Sequence, residues 1–308
     1  MNLVKIFKQC NPKKALVFGI GGGGDIVGTV PTSNFLKSFD FEVLHGSIVW
    51  DRLVIDPKPG PRSLDELENI EVFNDVIGFA NKDTRTYYGV IPTVARAAKH
   101  FGKVLALDIT KGSEKLSKGL KEFICDEKIS LVVGIDGGGD AIAVGYESGV
   151  KSPLADSICV AALSDIEGSI IGVFGFGSDG ELRFEELLLN ISKLMISKSF
   201  LGTIAMGDKD YKEMTKLTQD VYTEASKIPI MAYEGEFGIK KIRESRTVLI
   251  TPLSVLTFYF NSNGVFEINR AAKLVKNAKD IEDANKALNE AGILTELDFE
   301  RAVSKNKK

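Results

Sequence analysis

Asp25 and Asp140 each close a run of glycines that follows an apolar stretch, and Asp136 stands just ahead of the second run. Carboxylates at loop tips are hard oxygen donors, the kind that hold Mg or Mn together with substrate phosphates. Where like charges crowd, a carboxyl pKa also rises, and such a group can act as a general base. The stretches, "LVFGIGGGGD" (16–25) and "LVVGIDGGGD" (131–140), align without gaps and differ at two positions, Phe18 against Val133 and Gly21 against Asp136. The residues therefore assign a metal to Asp25, Asp136 and Asp140, with Asp136 and Asp140 as the catalytic pair. Gly21, Gly22, Gly23 and Gly24, with Gly137, Gly138 and Gly139, are assigned to an anionic ligand. Glycine at a strand end permits positive φ and close backbone approach, and a helix N-terminus behind it favours negative charge.

Two structural readings compete at these positions. Glycine serves tight strand–helix packing as well as ligands, and Asp25 and Asp140 stand where helix N-caps stand. Asp136 precedes its glycines, so capping explains it less well. A dinucleotide reading also exists, because Gly19, Gly21 and Gly24 satisfy GxGxxG. Asp25 would then repel the pyrophosphate unless a metal lay between them. Asp51, the candidate ribose acid, falls 27 residues after Gly24, later than the usual spacing of about 20. NAD thus ranks below a divalent metal.

Other polar residues are less distinctive. "GFGSDGEL" (175–182) is a further glycine loop, and its Asp179 is assigned to the ligand wall, with ordinary turn chemistry as the alternative. Arg52 ends "WDR" and suits bidentate anion binding as well as a surface ion pair. Lys58 and Arg62 on "PKPGPR" are expected to be solvated, and Asp108 is expected on the same rim as the glycine loops. Ser152 and Pro153 read as a helix start, which puts Asp156 in a first turn where the helix dipole favours it. His45 and His100 carry no motif, and Cys159 reads as core.

The elements that must position these residues alternate. Apolar runs "ALVFGI", "GSIVW", "KVLALD", "SLVVGI", "GSIIGVFGF" and "LGTIAM" are separated by stretches of helical period such as "IPTVARAAKHF", "GSEKLSKGLKEFICDE" and "FEELLLNISKLMISKS". This alternation predicts a Rossmann-like α/β fold, a mostly parallel sheet with helices on both faces. The continuous rather than alternating hydrophobicity fits strands buried on both sides. From about residue 240 to 308 the pattern changes to strand material interrupted at Pro252, then helices ended by Gly292. That region reads as an appended strand/helix layer on one α/β domain spanning 1–308. The near-identity of the two glycine stretches predicts that their strands lie side by side, both loops facing one crevice.

Composition narrows the classes. A net charge of −3 argues against a sequence-independent nucleic-acid binder. Three scattered cysteines without a CxxC pair read as reduced. The absence of a long apolar run argues against a membrane partner, and a cytoplasmic location is expected. Two histidines are too few for a His-rich zinc site. A homo-oligomer stays open.

"GIGGGGDIVG", "WDRLVIDPKPGPR", "GIDGGGD", "SPLADS" and "SDGEL" together resemble a mainly archaeal family classed as a domain of unknown function, with twin Gly-Gly-Gly-Asp loops. The resemblance runs from about residue 15 to 260. It implies a cytoplasmic α/β protein with glycine–aspartate loops and transfers no catalytic assignment. From the residues themselves, the expected function is a metal-assisted enzyme acting on a small anionic or phosphorylated metabolite, by phosphoryl transfer or hydrolysis. A NAD- or nucleotide-dependent oxidoreductase and a non-catalytic ligand-binding protein are the alternatives.

Overall fold

A computed structural model describes residues 2–242 and 246–306. Its strands are β1 (Lys14–Gly19), β2 (Glu42–Ile48), β3 (Leu67–Val72), β4 (Ile77–Thr86), β5 (Val104–Leu107), β6 (Leu131–Gly137), β7 (Ile170–Phe174), β8 (Phe200–Ala205), β9 (Gly238–Ile242), β10 (Arg246–Ile250) and β11 (Leu256–Asn261). Nine of them form one sheet in the order β3-β4-β5-β2-β1-β6-β7-β11-β8. The centre, β5-β2-β1-β6-β7, is parallel throughout. Every residue of β5, β6 and β7 is buried, as continuous apolar runs predict for strands covered on both faces.

The two faces carry different helices. Leu154, Ile158 and Leu163 of the helix Pro153–Leu163 pack in one core with Phe123 and Leu120 of the helix Gly112–Asp126. Val30 and Leu36 of the helix Thr29–Lys37 pack in the other, with Val94 and Ala97 of the helix Thr93–Phe101. Alternate residues of β1 divide between the two layers: Leu16 and Phe18 face the first, Ala15 and Val17 the second. The α/β architecture with helices on both faces is thus as the alternation of elements predicts.

The departures lie at the sheet's edges. β4 runs antiparallel to both β5 and β3, and β11 runs antiparallel to both β7 and β8. β11 therefore sits inside the main sheet, between β7 and β8. The 3-10 turn Pro252–Val255 separates it from β10, where proline denies the ladder a donor. β9 and β10 form a separate two-stranded hairpin. The C-terminal helices Ile281–Glu290 and Glu296–Asn306 pack against the first core through Ile281, Leu288 and Leu297.

β1 and β6 are neighbours and parallel, with Gly19 opposite Ile135. The chain leaves β1 toward β2 on one side, and β6 leads to β7 on the other. This is the reversal of strand order at which open α/β sheets bind ligands, at the carboxyl ends of the strands.

Candidate metal and anion site

Past β1 the chain turns through Ile20–Gly22 into the 3-10 helix Gly23–Gly28, which carries Asp25 back over the strand end. A Cβ on Gly19 would lie 2.7 Å from the Asp25 Cβ, so the side chain is missing where Asp25 folds across. Asp25 Oδ2 accepts the Gly21 amide at 2.8 Å. Its Oδ1 lies 2.9 Å from where a Gly137 Cβ would stand, which sets this carboxylate between the ends of β1 and β6. Asp136 is the penultimate residue of β6 and is buried. Asp156 enters from the first turn of the helix Pro153–Leu163 and is also buried. One carboxylate oxygen from each of Asp25, Asp136 and Asp156 lies within 4.8 Å of the others. Such a cluster could hold a metal ion, and three oxygen donors suit a hard cation.

Electrostatics bear on the same point. Burial, and then the Asp25 and Asp179 charges, push the Asp136 carboxyl well above the ordinary carboxylate range. Burial, and then Asp136 and Asp25, do the same to Asp156, with Arg52 opposing. Asp156 Oδ1 is buried without a hydrogen-bond partner among the described residues. A desolvated group of like charges is relieved by a proton or by a cation.

Asp140 stands beside the trio. It is buried, its Oδ2 lies 3.4 Å from the Ser152 hydroxyl oxygen, and the Asp136 carboxyl is a near neighbour. Burial, then Asp156 and Glu181, push its carboxyl well up. Neither Asp25 nor Asp140 caps a helix: the cap positions are Gly22 and Gly139, which have no side chain to bond. Asp136 serves the backbone as Asp25 does, accepting the Ala141 amide at 3.1 Å. The competing capping explanation thus fails at the two positions where sequence favours it.

The glycines divide by physical role. Gly138 and Gly139 adopt φ of +132° and +133°, the left-handed side that favours glycine. Gly22 is extended at φ 174°, and Gly23 is packed so that a Cβ would meet Asp51 Oδ1 at 2.8 Å. The expectation of positive φ thus holds for the second loop only. Several amides assigned to an anion are used inside the protein: Gly21 on Asp25, Gly23 on the Trp50 carbonyl, Gly138 on the Phe174 carbonyl. Asp179 packs directly on Gly138, and its Oδ1 accepts the Glu181 amide, so turn chemistry and proximity to the site coexist there.

Arg52, just past β2, reaches the first loop. Its Nη2 donates to the Gly21 carbonyl at 2.7 Å, and its guanidinium lies 4.3 Å from the centre of the Trp50 ring. Glu296 on the C-terminal helix stands 3.5 Å from Arg52 and accepts the amides of Leu154 and Ala155 at 3.0 Å. It therefore satisfies first-turn amides of the buried helix that carries Asp156, a task expected of Ser152. The Ser152 hydroxyl instead donates to Glu181 at 2.5 Å, and Glu181 also pairs with Arg246 at 2.8 Å. Glu300 accepts the Trp50 indole N–H and the Gly60 amide.

The remaining candidates are structural. Arg62 is buried against Asp56 at 3.0 Å instead of solvated, because the loop carbonyls of Lys58, Pro59 and Gly60 consume its donors. Lys58 is exposed and pairs with Glu66. Asp108, just past β5, is buried and accepts the Leu64 and Thr110 amides. His45 is stacked on Phe101 at 3.9 Å, and burial, then Lys37, lower its pKa to about 3. His100 pairs with Asp220 at 2.8 Å. Cys159 is a buried free thiol, pushed up in pKa chiefly by that burial.

A family model described as "Protein of unknown function (DUF1152)" matches residues 16–304. The chain belongs to the DUF1152 family. The matched span of this DUF1152 chain takes in both glycine loops, the aspartate trio, Arg52 and the two C-terminal glutamates. The family description names no activity. No curated protein matches the chain. Among the described residues, no helix is long and apolar enough to cross a membrane.

Proposed function

We propose that this protein is a metal-assisted enzyme acting on a small phosphorylated metabolite in the crevice between β1 and β6. The observation that carries the reading is the convergence of Asp25, Asp136 and Asp156 to within 4.8 Å at the reversal of strand order. A buried cluster of that charge is costly alone and favourable around Mg or Mn. A bound divalent ion would neutralise phosphoryl oxygens, which supplies much of what phosphoryl transfer or hydrolysis needs. Asp140, buried beside Asp136 with a raised pKa, is suited to hold or accept the proton of an attacking hydroxyl or water. The oxidoreductase alternative draws less support, because the Gly21 and Gly23 amides that would face a pyrophosphate are bonded within the protein.

The test is a thermal-shift panel of phosphorylated metabolites and nucleotides, with and without MgCl2 or MnCl2, followed by assay of phosphate release. The expected outcome is a shift with phosphorylated compounds that requires the metal, and phosphate release that Asp140→Asn abolishes. A metal-independent shift with NAD would overturn this reading in favour of the oxidoreductase. A metal-dependent shift without turnover of any compound would leave a ligand-binding protein.

A further inference from the structure

A phosphoryl group needs a cationic partner besides the metal, and much of the first glycine loop's amide capacity is used inside the protein. Gly21 is held at both ends, its amide by Asp25 and its carbonyl by Arg52. Arg52 itself is far from saturated. Of its five donors, one is well used, on the Gly21 carbonyl at 2.7 Å. The Glu296 contacts stand at 3.5 Å, longer than the 2.7–2.9 Å of a charge-assisted bond. Nε makes no hydrogen bond among the described residues, and the side chain stays 28 % exposed.

The space this edge faces is identifiable. A Cβ built on Gly22 would find nothing nearer than Arg52 Nε at 3.8 Å, Arg52 Nη2 at 3.9 Å and the Trp50 carbonyl at 3.9 Å. The Nε–Nη2 edge, one of the two guanidinium edges that can pair bidentately with oxyanions, therefore lines the place that a Gly22 side chain would take. Trp50 stacks under the guanidinium and is itself fixed by Glu300, so the edge is pre-oriented. The Arg52 backbone sits at φ +52°, a conformation that costs a non-glycine residue energy and that the surrounding fold must impose. Glu296 is already satisfied by two amides, so Arg52 can turn to a ligand without leaving that carboxylate bare.

We propose that Arg52 is the specificity-determining residue of the site, receiving the phosphoryl group of the substrate on its Nε–Nη2 edge over Gly22. This rests on the reading of Asp25, Asp136 and Asp156 as a cation site, with the phosphoryl group lying between the cation and the guanidinium. The test titrates orthophosphate and Mn2+, separately and together, into the wild-type protein, Arg52→Met and Arg52→Lys. Arg52→Met should bind Mn2+ as tightly as wild type or a few-fold more tightly, having lost a positive charge near the carboxylates. Its affinity for orthophosphate in the Mn2+-loaded state should fall by about tenfold or more, and Arg52→Lys should recover part of it.

Orthophosphate affinity of Arg52→Met within about twofold of wild type would overturn the proposal, as would equal losses of Mn2+ and orthophosphate, the mark of a merely structural arginine. If wild type takes up no Mn2+, the cation reading fails by itself. Arg52 is then judged on orthophosphate alone, with the same loss expected. Gly22→Val covers the case in which Arg52→Met does not fold: its extended backbone accepts a side chain, which would fill the space before the guanidinium. It should lose orthophosphate with Mn2+ affinity unchanged, and undiminished orthophosphate binding would contradict the proposal.

Discussion

At the scale of single residues, Asp136 shows how one side chain can serve the backbone and the site together. One of its oxygens accepts the Ala141 amide while the carboxyl is crowded by Asp25 and Asp179. Because burial and like charge raise the folded-state pKa, the native protein keeps a proton there that the unfolded chain releases near pH 3.9. The native state then binds more protons than the unfolded state in the interval above that pH. Stability of the metal-free protein should accordingly fall as pH rises through that interval, by up to about 1.4 kcal/mol per pH unit for each such group. Asp136→Asn keeps an acceptor for Ala141 and removes the charge. It should raise the metal-free Tm at pH 8 and flatten the pH slope, and it should weaken Mn2+ binding. Melting curves from pH 5 to 9 check this, and a lower Tm with an unchanged slope would make Asp136 purely structural. Asp25 and Asp136 are recognisable in the sequence because they border glycine runs after apolar strands. Asp156 is not, because aspartate in a first helical turn has an ordinary explanation in the helix dipole. Glu296 is invisible for another reason: it acts on Leu154, 142 residues away in the chain, and no local pattern records that contact.

At the scale of elements, the glycine loops separate two needs that the residue type alone does not distinguish. Gly138 needs positive φ and has Asp179 against it, so a Cβ there would lie 2.2 Å from the Asp179 Cγ. Gly22 has an extended backbone, and a Cβ there would make only ordinary van der Waals contacts, the nearest at 3.8 Å. Gly138→Ala should therefore cost about 2 kcal/mol or more of stability, while Gly22→Ala should stay within about 0.5 kcal/mol. Urea denaturation of both variants measures the difference, and equal costs would contradict the roles assigned to the two loops. The parallel centre was legible for a plain reason: strands covered on both faces are apolar without interruption. The β3–β4 edge was not, since "LENIEV" is mostly exposed and polar and resembles a loop. The location of β11 inside the sheet was equally hidden, because strand order depends on long-range pairing that composition does not encode.

At the scale of the whole molecule, the site is assembled from distant parts of the chain. β1 and β6 bring Asp25 and Asp136 together, a buried helix supplies Asp156, and the last helix ties Arg52 and the start of that buried helix through one glutamate. All of them lie at the sheet reversal, where we propose the ligand crevice. The central claim is that this crevice holds a divalent cation. Anomalous diffraction from crystals grown with Mn2+ tests it most directly. The account predicts a single strong peak at this crevice, within about 2.0–2.3 Å of a carboxylate oxygen of each of Asp25, Asp136 and Asp156, and its loss in Asp156→Asn crystals. A site with no Mn2+ peak at millimolar concentration, or a peak that persists in Asp156→Asn, would contradict it.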